Sequence, residues 1–376
     1  MVEVAIGHNQ PLPSGAGARL SFPQRTMTFN FPQSKLIIGF NVVLIVAIVG
    51  VIVYAVKSSR QATITTPDGT STVPVVQRKI ETLELGDRLV DMDRLAESDL
   101  AYVLTESGQV AVVDTKQLSV EGQVQLLVPG TDSLLVNNLG LSHLTPEMYV
   151  SSRRGQVLKV STNSFLVEEQ IAVAGRPADV MIAPDGRYLF VINESPPRVN
   201  VVDLADLRVV KNLPVGRGPV DLLVDASGEF VYVANAEDGS ISIISAINLS
   251  GVGSLLLGGR PVKIVDYPGR DLILILDQEN SRVVAVSQRT NKIVGQISVV
   301  GDPMDMVLDS VRDRLYVIGA AQKGVGVVSL AEGVMEEVIL LGSAFETGEG
   351  LKGIDLVQDS GRLVVLGERD VYGISF

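Results

Sequence analysis

The chain has no cysteine and no tryptophan, and only two of its 376 residues are histidines. Without thiols there can be no disulfide, no thiolate metal site, no haem attached through cysteines and no cysteine nucleophile. The two histidines, His8 and His143, are too few for a metal or haem site built from several imidazoles. We therefore expect no cofactor. A cysteine-free chain also suits an oxidising compartment, where a free thiol would be a liability.

Positive charge is scarce as well. The formal net charge is −12 and the isoelectric point is about 4.8, so the chain lacks the excess of Lys and Arg that neutralises phosphates. This excludes nucleic acid as an expected partner. Hydrophobic residues nevertheless make up 46% of the chain and charged residues only 20%, a balance typical of a folded protein.

Catalytic motifs are missing too. The sequence contains no Walker-type phosphate loop and no Gly-x-Ser-x-Gly motif. Ser142 directly precedes His143, and adjacent residues on a strand or loop do not meet as nucleophile and base. The sequence therefore predicts a protein that is not an enzyme.

One long uncharged hydrophobic run is present, and it extends over 21 residues from Leu36 to Val56. As a helix rising about 1.5 Å per residue, it would cross a hydrocarbon core of about 30 Å. A cleaved signal peptide is the alternative, but the polar arm of residues 1–35 is long and the run exceeds the usual signal length. We predict a transmembrane helix at 36–56, in contact with the lipid bilayer and followed by a Thr- and Ser-rich linker at 57–74.

Basic residues predict the orientation of this helix. Arg19, Arg25 and Lys35 of the arm narrowly outnumber Lys57 and Arg60 on the other side. The arm is therefore expected in the cytoplasm, with the remainder periplasmic or extracellular, at the inner membrane of a bacterium.

A proline recurs with a step of 42 residues, at Pro177, Pro219, Pro261 and Pro303. A period in the low forties is typical of a four-stranded propeller blade or of a two-helix HEAT or armadillo repeat. The apolar pieces within each repeat are short, rich in Val and Ile, and bounded by Gly, Pro, Asn or Asp, which favours strands. Since four-stranded units cannot bury both faces alone, they must stack radially. The predicted fold is an all-β propeller.

An aligned aromatic or apolar position counts seven blades: Tyr102, Tyr149, Phe190, Tyr232, Leu274, Tyr316 and Val364. The propeller is predicted over 75–376, with blades at about 86–126, 127–174, 175–215, 216–257, 258–299, 300–342 and 343–376. The last blade is too short for four strands, so a strand at 75–84 is expected to complete it. Mixing the two chain ends in this way removes the open edge of the ring.

The repeats resemble a known family, the β-propeller repeats named for the tetrapeptide Tyr-Val-Thr-Asn. The corresponding residues are FVIN at 190–193, preceded by GRP at 175–177, and YVAN at 232–235, preceded by GRGP at 216–219. The resemblance implies the propeller fold. It leaves the activity open, because propellers of this kind include binding modules, surface proteins and occasional enzymes.

Seven positions are expected to ring one mouth of the central channel. In six blades they lie eleven residues before the aligned aromatic or apolar residue, and the seventh is offset by two: Asp91, Asn138, Asp179, Asp221, Lys263, Asp305 and Asp355. Converging carboxylates could hold a cation or dock a basic partner. Alternatively, each side chain accepts hydrogen bonds from its own loop and repeats because the turn repeats.

Two departures from the repeat are candidate partner-binding loops, because binding surfaces are commonly built on loops of a regular scaffold. One is the extra stretch Asn137–Glu147 in the second blade, and the other is the long acidic link Glu332–Gly350 into the last blade. The candidate residues are Asn138, His143, Glu147, Glu336, Glu337, Glu346 and Glu349.

Three functions remain in view. The first is a non-catalytic, membrane-anchored protein-binding scaffold, a structural or assembly subunit of a respiratory, photosynthetic or secretion-type membrane complex, whose partners are other subunits. The second is a lactonase-like hydrolase that holds a divalent cation over the channel, against which Lys263 argues. The third is an envelope sensor of a small ligand, which the low aromatic content of 5% disfavours.

Overall fold

The structure is a computed structural model, and it describes residues 63–65, 69, 72–95, 97–128, 134–321, 323–341 and 350–376. These residues lie in one compact unit, Arg60–Phe376. The hydrophobic run at 36–56 and the polar arm lie outside the described residues. In the part of the chain that is described, no helix has the length and hydrophobicity needed to cross a membrane.

Among the described residues, thirty strands form seven sheets, and the innermost strand of each sheet belongs to a closed ring in which it contacts the innermost strands of both neighbouring sheets. The prediction of an all-β, seven-bladed propeller is confirmed. The first three blades contain β4 (Leu89–Arg94), β5 (Leu100–Thr105), β6 (Gln109–Asp114) and β7 (Ser119–Gln125); β8 (Val136–Leu141), β9 (Glu147–Ser152), β10 (Gln156–Ser161) and β11 (Val167–Ala172); and β12 (Pro177–Ile182), β13 (Tyr188–Asn193), β14 (Arg198–Asp203) and β15 (Arg208–Pro214).

The fourth and fifth blades follow the same plan, with a short 3₁₀ turn at Pro268–Arg270 in the fifth. The last two blades each include one or two strands from the start of the propeller. These four blades contain β16 (Pro219–Val224), β17 (Phe230–Asn235), β18 (Ser240–Ser245) and β19 (Ser250–Leu256); β20 (Pro261–Tyr267), β21 (Leu272–Asp277), β22 (Arg282–Ser287) and β23 (Lys292–Ser298); β24 (Pro303–Asp309), β25 (Arg314–Gly319), β26 (Gly324–Ser329) and β27 (Val334–Leu340); and β28 (Gly353–Val357), β29 (Arg362–Leu366) and β30 (Asp370–Ile374).

The ring is closed by strands from both ends of the propeller. β3 (Ile80–Glu84) pairs antiparallel with β30 and completes the seventh blade. Before it, β2 (Thr72–Val76) pairs in parallel with β27 and extends the sixth blade, and β1 (Thr63–Thr65) pairs with β2. The sequence predicts one strand over 75–84, whereas the structure has two strands on two different blades. Residues 77–79 between them carry no strand, because the chain passes there from one sheet to the next.

The hydrophobic core is divided into layers between neighbouring blades. Each of seven clusters of buried side chains combines residues from two adjacent sheets, from the first and second blades round to the seventh and first. Four of the aligned aromatic residues, Tyr149, Phe190, Tyr232 and Tyr316, are buried in these layers, and Tyr102 is partly buried. A blade therefore buries its faces only by stacking, as the repeat predicts.

The asparagines of the family-like tetrapeptide are structural. Asn193 is buried and donates to the Asn200 amide oxygen on the next strand of its blade. Asn235 is also buried and donates to Ser242 Oγ at 3.0 Å and Ser240 Oγ at 3.1 Å. In these two blades the bonds tie the second strand to the third.

Candidate functional site

The seven predicted ring positions all lie on the innermost strands and line the central channel. In the first six blades a β-bulge precedes the ring residue, as between Pro219 and Asp221. The bulge bends the strand and sets the direction of the side chain. Two cavities of about 550 and 590 Å³ make up the channel, and Asp91 and Lys263 line both of them.

Five ring residues do the same thing: each accepts a hydrogen bond from a backbone N–H on the innermost strand of the next blade. The donor–acceptor distances are 2.9 Å for Leu139 to Asp91, 3.2 Å for Val180 to Asn138, 3.1 Å for Leu222 to Asp179, 2.7 Å for Ile264 to Asp221 and 2.9 Å for Ile354 to Asp305. The sequence analysis gave hydrogen bonds from the residue's own loop as the alternative to a binding site. Asp179 and Asp305 do accept the N–H of the residue that follows them, at 2.8 and 2.9 Å, but the bond that all five share comes from the neighbouring blade. The ring side chains therefore hold consecutive blades together.

Lys263 takes a different part because an ammonium group cannot accept a hydrogen bond. Its Nζ lies 3.2 Å from Asp221 Oδ1 in the preceding blade and 3.7 Å from Asp305 Oδ1 in the following one. The charge of Lys263 thus links the fifth blade to the fourth blade and to the sixth blade.

The junction between the last and first blades uses an arginine. Arg94 Nε lies 2.6 Å from Asp355 Oδ2, and its Nη2 donates to the Leu356 carbonyl oxygen at 2.5 Å. The Arg94 side chain is only 5% exposed. The sequence analysis did not single out Arg94, although it lies three residues after Asp91 on the same inner strand.

A second carboxylate was also missed. Asp93 lies two residues after Asp91, so both side chains lie on the same face of β4. Its Oδ2 accepts the Leu141 N–H at 2.8 Å, which repeats the blade-to-blade contact one step deeper. The alternation of Asp91 and Asp93 along the strand is the signal that could have revealed it.

Burial dominates the acid–base chemistry of the channel. It raises the pKa of Asp91 to about 7. Burial, together with the charge of Asp221, raises the pKa of Asp179 well above its usual value. Burial also raises the pKa of Asp221 and of Asp305, although the charge of Lys263 opposes both shifts. These carboxyls hold their protons more tightly than exposed ones, so the negative field expected from the ring is weakened.

The charges of Asp221 and Asp305 have the opposite effect on the lysine. They raise the pKa of Lys263 well above its usual range, so its ammonium stays protonated. The channel thus contains a permanent cation among carboxylates that are hard to ionise. Within the described residues, no group of three or more His, Asp or Glu is arranged to hold a metal ion.

The candidate partner-loop residues fall into different settings. Asn138 belongs to the channel ring on β8, while His143 is exposed in the following turn and lines a channel cavity. Glu147 begins β9 and pairs with Lys159 at 2.8 Å. Asn138 and His143 thus line the same channel cavity, whereas Glu147 is not among the residues that line it.

The acidic link into the last blade is shorter than the sequence analysis expected. Glu336 and Glu337 lie within β27 and pair with Arg314 and Arg78, each at 3.0 Å. The fourth strand of the sixth blade extends through both residues, so they are not part of a loop. Glu346 and Glu349 lie outside the described residues.

Comparison with known proteins agrees with this architecture. The model of a family described as lactonase, 7-bladed beta-propeller, matches residues 96–256, which is less than half of the chain. The chain is a seven-bladed propeller. No curated protein sequence matches it significantly.

Two solved structures share the fold. Hydrazine synthase from Kuenenia stuttgartiensis is similar with a TM-score of 0.67 and 14% identity, over 78% of this chain and 96% of that one. The Cps50 (Swd1) beta-propeller domain from Myceliophthora thermophila has a TM-score of 0.66 and 11% identity, over 79% of this chain and all of the other, 100%. At these identities the likeness concerns the fold alone.

Proposed function

We propose that this chain is a non-catalytic, membrane-anchored scaffold that binds other proteins through its propeller, as a structural or assembly subunit of a membrane complex. The observation that carries the proposal is the use of the channel ring. Its side chains contact the next blade or an oppositely charged ring residue, and one of them is a lysine. The channel residues that would have to bind and transform a substrate thus already form contacts between blades.

The anchor in this proposal is the hydrophobic run at 36–56. It is supported by the 21 uncharged residues of the sequence. The orientation, with the arm in the cytoplasm and the propeller on the far side of a bacterial inner membrane, is supported by the basic residues of the arm.

Copurification tests the scaffold directly. The tagged full chain is extracted from its native membrane in mild detergent, and the proteins that travel with it are identified against an untagged control. We expect a defined set of other subunits in fixed proportion. Recovery of the chain alone, from membranes in which it is at its natural level, would contradict the proposal.

A lactonase-like hydrolase is the second candidate, favoured by the family match over residues 96–256. A divalent cation over the channel would have to displace ring carboxylates from their backbone N–H donors or use oxygens left over from these bonds. Such a site predicts that Ca²⁺ raises the melting temperature, because a ligand that binds only the folded state stabilises it.

A further inference from the structure

The second strand of the fifth blade lacks aromatic residues that the two preceding blades have at the same positions of the 42-residue repeat. The pairs are Tyr188 and Phe190 in the third blade, Phe230 and Tyr232 in the fourth, and Leu272 and Leu274 in the fifth. The residues that pair with Phe190, Tyr232 and Leu274 on the third strand are Val201, Ile243 and Ala285. The fifth blade thus lacks two rings and has the smallest of the three opposing side chains.

In the third and fourth blades these rings fill the hydrophobic layer against the following blade. Phe190 and Tyr232 are fully buried, and the ring centroids within the two pairs lie 6.4 and 6.3 Å apart. In the fifth blade Leu274 is buried, whereas Leu272 and Ala285 are only partly buried. Protein interiors are close-packed, so the loss of two rings leaves a void unless neighbouring side chains move into it.

The structure has a crevice at this place, between the fifth and sixth blades, with a volume of about 280 Å³. Its walls are mainly hydrophobic and include Leu272, Leu274, Val283, Ala285, Ile297 and Leu330. Gly295 also lines the crevice, and a side chain built there would approach only the Ala285 side chain, at 3.9 Å. The volume of the missing rings is therefore not taken up by the surrounding residues.

The polar side chains of the crevice already have partners. Tyr267 donates its hydroxyl hydrogen to Asp313, and Arg270 Nη2 lies 2.8 Å from Asp313 Oδ2. Gln296 Oε1 accepts a hydrogen bond from Arg282 at 2.8 Å. A water molecule needs about two to four polar partners to be held in a cavity, and a buried charge needs an opposite charge. The crevice therefore favours an uncharged, hydrophobic occupant.

We propose that this crevice binds a small uncharged molecule with an aromatic ring, such as a phenyl or indole compound. The repeat indicates the shape of the occupant, because aromatic rings take up the equivalent volume in the two preceding blades. The Tyr267 ring forms part of the wall and offers an aromatic face or edge for contact. The size agrees, since an apolar cavity of about 150 Å³ binds benzene. This inference goes beyond the proposed scaffold function and does not depend on it.

Indole is a suitable probe because the chain has no tryptophan. When it is excited at wavelengths that tyrosine does not absorb, the fluorescence comes from the probe alone. We expect titration of the full chain in mild detergent to shift the indole emission to shorter wavelength in a saturable way, with one indole bound per chain. Detergent without protein supplies the background, since micelles also take up indole.

Two substitutions, Leu272→Phe and Ala285→Ile, test the location of the site. Each introduces the residue that the fourth blade has at that position, so each should fill the crevice from a different wall. We expect both variants to lose the saturable signal. Their melting temperatures should equal or exceed that of the unsubstituted chain, because filling a void stabilises the folded state.

Ile293→Phe is the matched control. It adds a ring to β23 of the same blade, at a residue that is 46% exposed and is not among those that line the crevice. We expect this variant to bind indole as the unsubstituted chain does. The absence of a saturable shift in the unsubstituted chain would overturn the proposal, and so would a shift that persists in both folded crevice variants.

Discussion

At the scale of single residues, the channel ring shows how one side-chain position can serve a whole ring of blades. A carboxylate or amide oxygen on one innermost strand accepts an N–H from the next, as Asp221 does from Ile264 at 2.7 Å. A hydrogen bond to a charged group contributes about 1.5–3 kcal/mol when it forms. Burial disfavours the ionised form of these carboxyls, and it raises the pKa of Asp91 to about 7.

The raised pKa of Asp91 makes stability depend on pH. Because the folded carboxyl keeps its proton to about pH 7, while the unfolded one loses it near about pH 4, the folded state binds more protons between these values. Its favourable contribution to the free energy of unfolding is therefore complete below about pH 4 and is lost as the pH rises to about 7.

Asp91→Asn should remove this contribution while keeping the hydrogen bond, since Asn138 makes the equivalent bond in the second blade. We expect the melting temperature of the variant, relative to the unsubstituted chain, to rise steadily from pH 4 to pH 7. The control is Asp206→Asn in an exposed turn, where the side chain keeps 64% of its surface. A difference that stays constant over this pH range would contradict the assigned role of burial.

At the scale of strands, the sequence predicts positions better than partners. The repeat correctly places the ring residues on the strands that line the channel, because the spacing between the ring residue and the aligned aromatic or apolar residue is the same in six of the blades. It does not reveal that Asp179 bonds to Leu222, since that contact depends on how two blades are set against each other. The sequence likewise predicts a strand near residues 75–84. It does not reveal that these residues form two strands on two different blades.

The seam between the last and first blades depends on Arg94. Its Nε lies 2.6 Å from Asp355 and its side chain is 5% exposed. Arg94→Met would leave the Asp355 carboxylate, which is 29% exposed, without this partner and would remove the donor to the Leu356 carbonyl oxygen. Breaking a fully buried ion pair costs about 3–5 kcal/mol, and the partial exposure of Asp355 places this pair below that range. We expect a large fall in the melting temperature of the full chain.

Arg88→Met is the control for this seam. Arg88 is half-exposed and pairs with Glu368 at 3.0 Å on the surface. Exposed ion pairs contribute about 1 kcal/mol or less, so the melting temperature should change little. Equal effects of the two substitutions would show that the seam does not depend on the buried arginine.

At the scale of the whole molecule, seven apolar layers and a ring of polar contacts close the propeller, and strands from both ends of it complete the last two blades. The recurring 42-residue step was sufficient to predict this architecture, because each blade buries its surface only against its neighbours. Function could not be predicted in the same way. The same Asp positions suit a cation site or a structural ring, and the hydrogen bonds from neighbouring N–H groups, which the sequence does not show, favour the ring.

In the function proposed above, the ring holds the blades together and does not bind a cation. The most direct test is the melting temperature of the full chain with and without millimolar Ca²⁺, measured beside the double variant Asp179→Asn/Asp221→Asn. Asn can still accept the backbone N–H bonds, as Asn138 does. We predict that Ca²⁺ leaves the melting temperature of both proteins unchanged. A rise with Ca²⁺ in the unsubstituted chain that the double variant abolishes would contradict the account and favour the hydrolase.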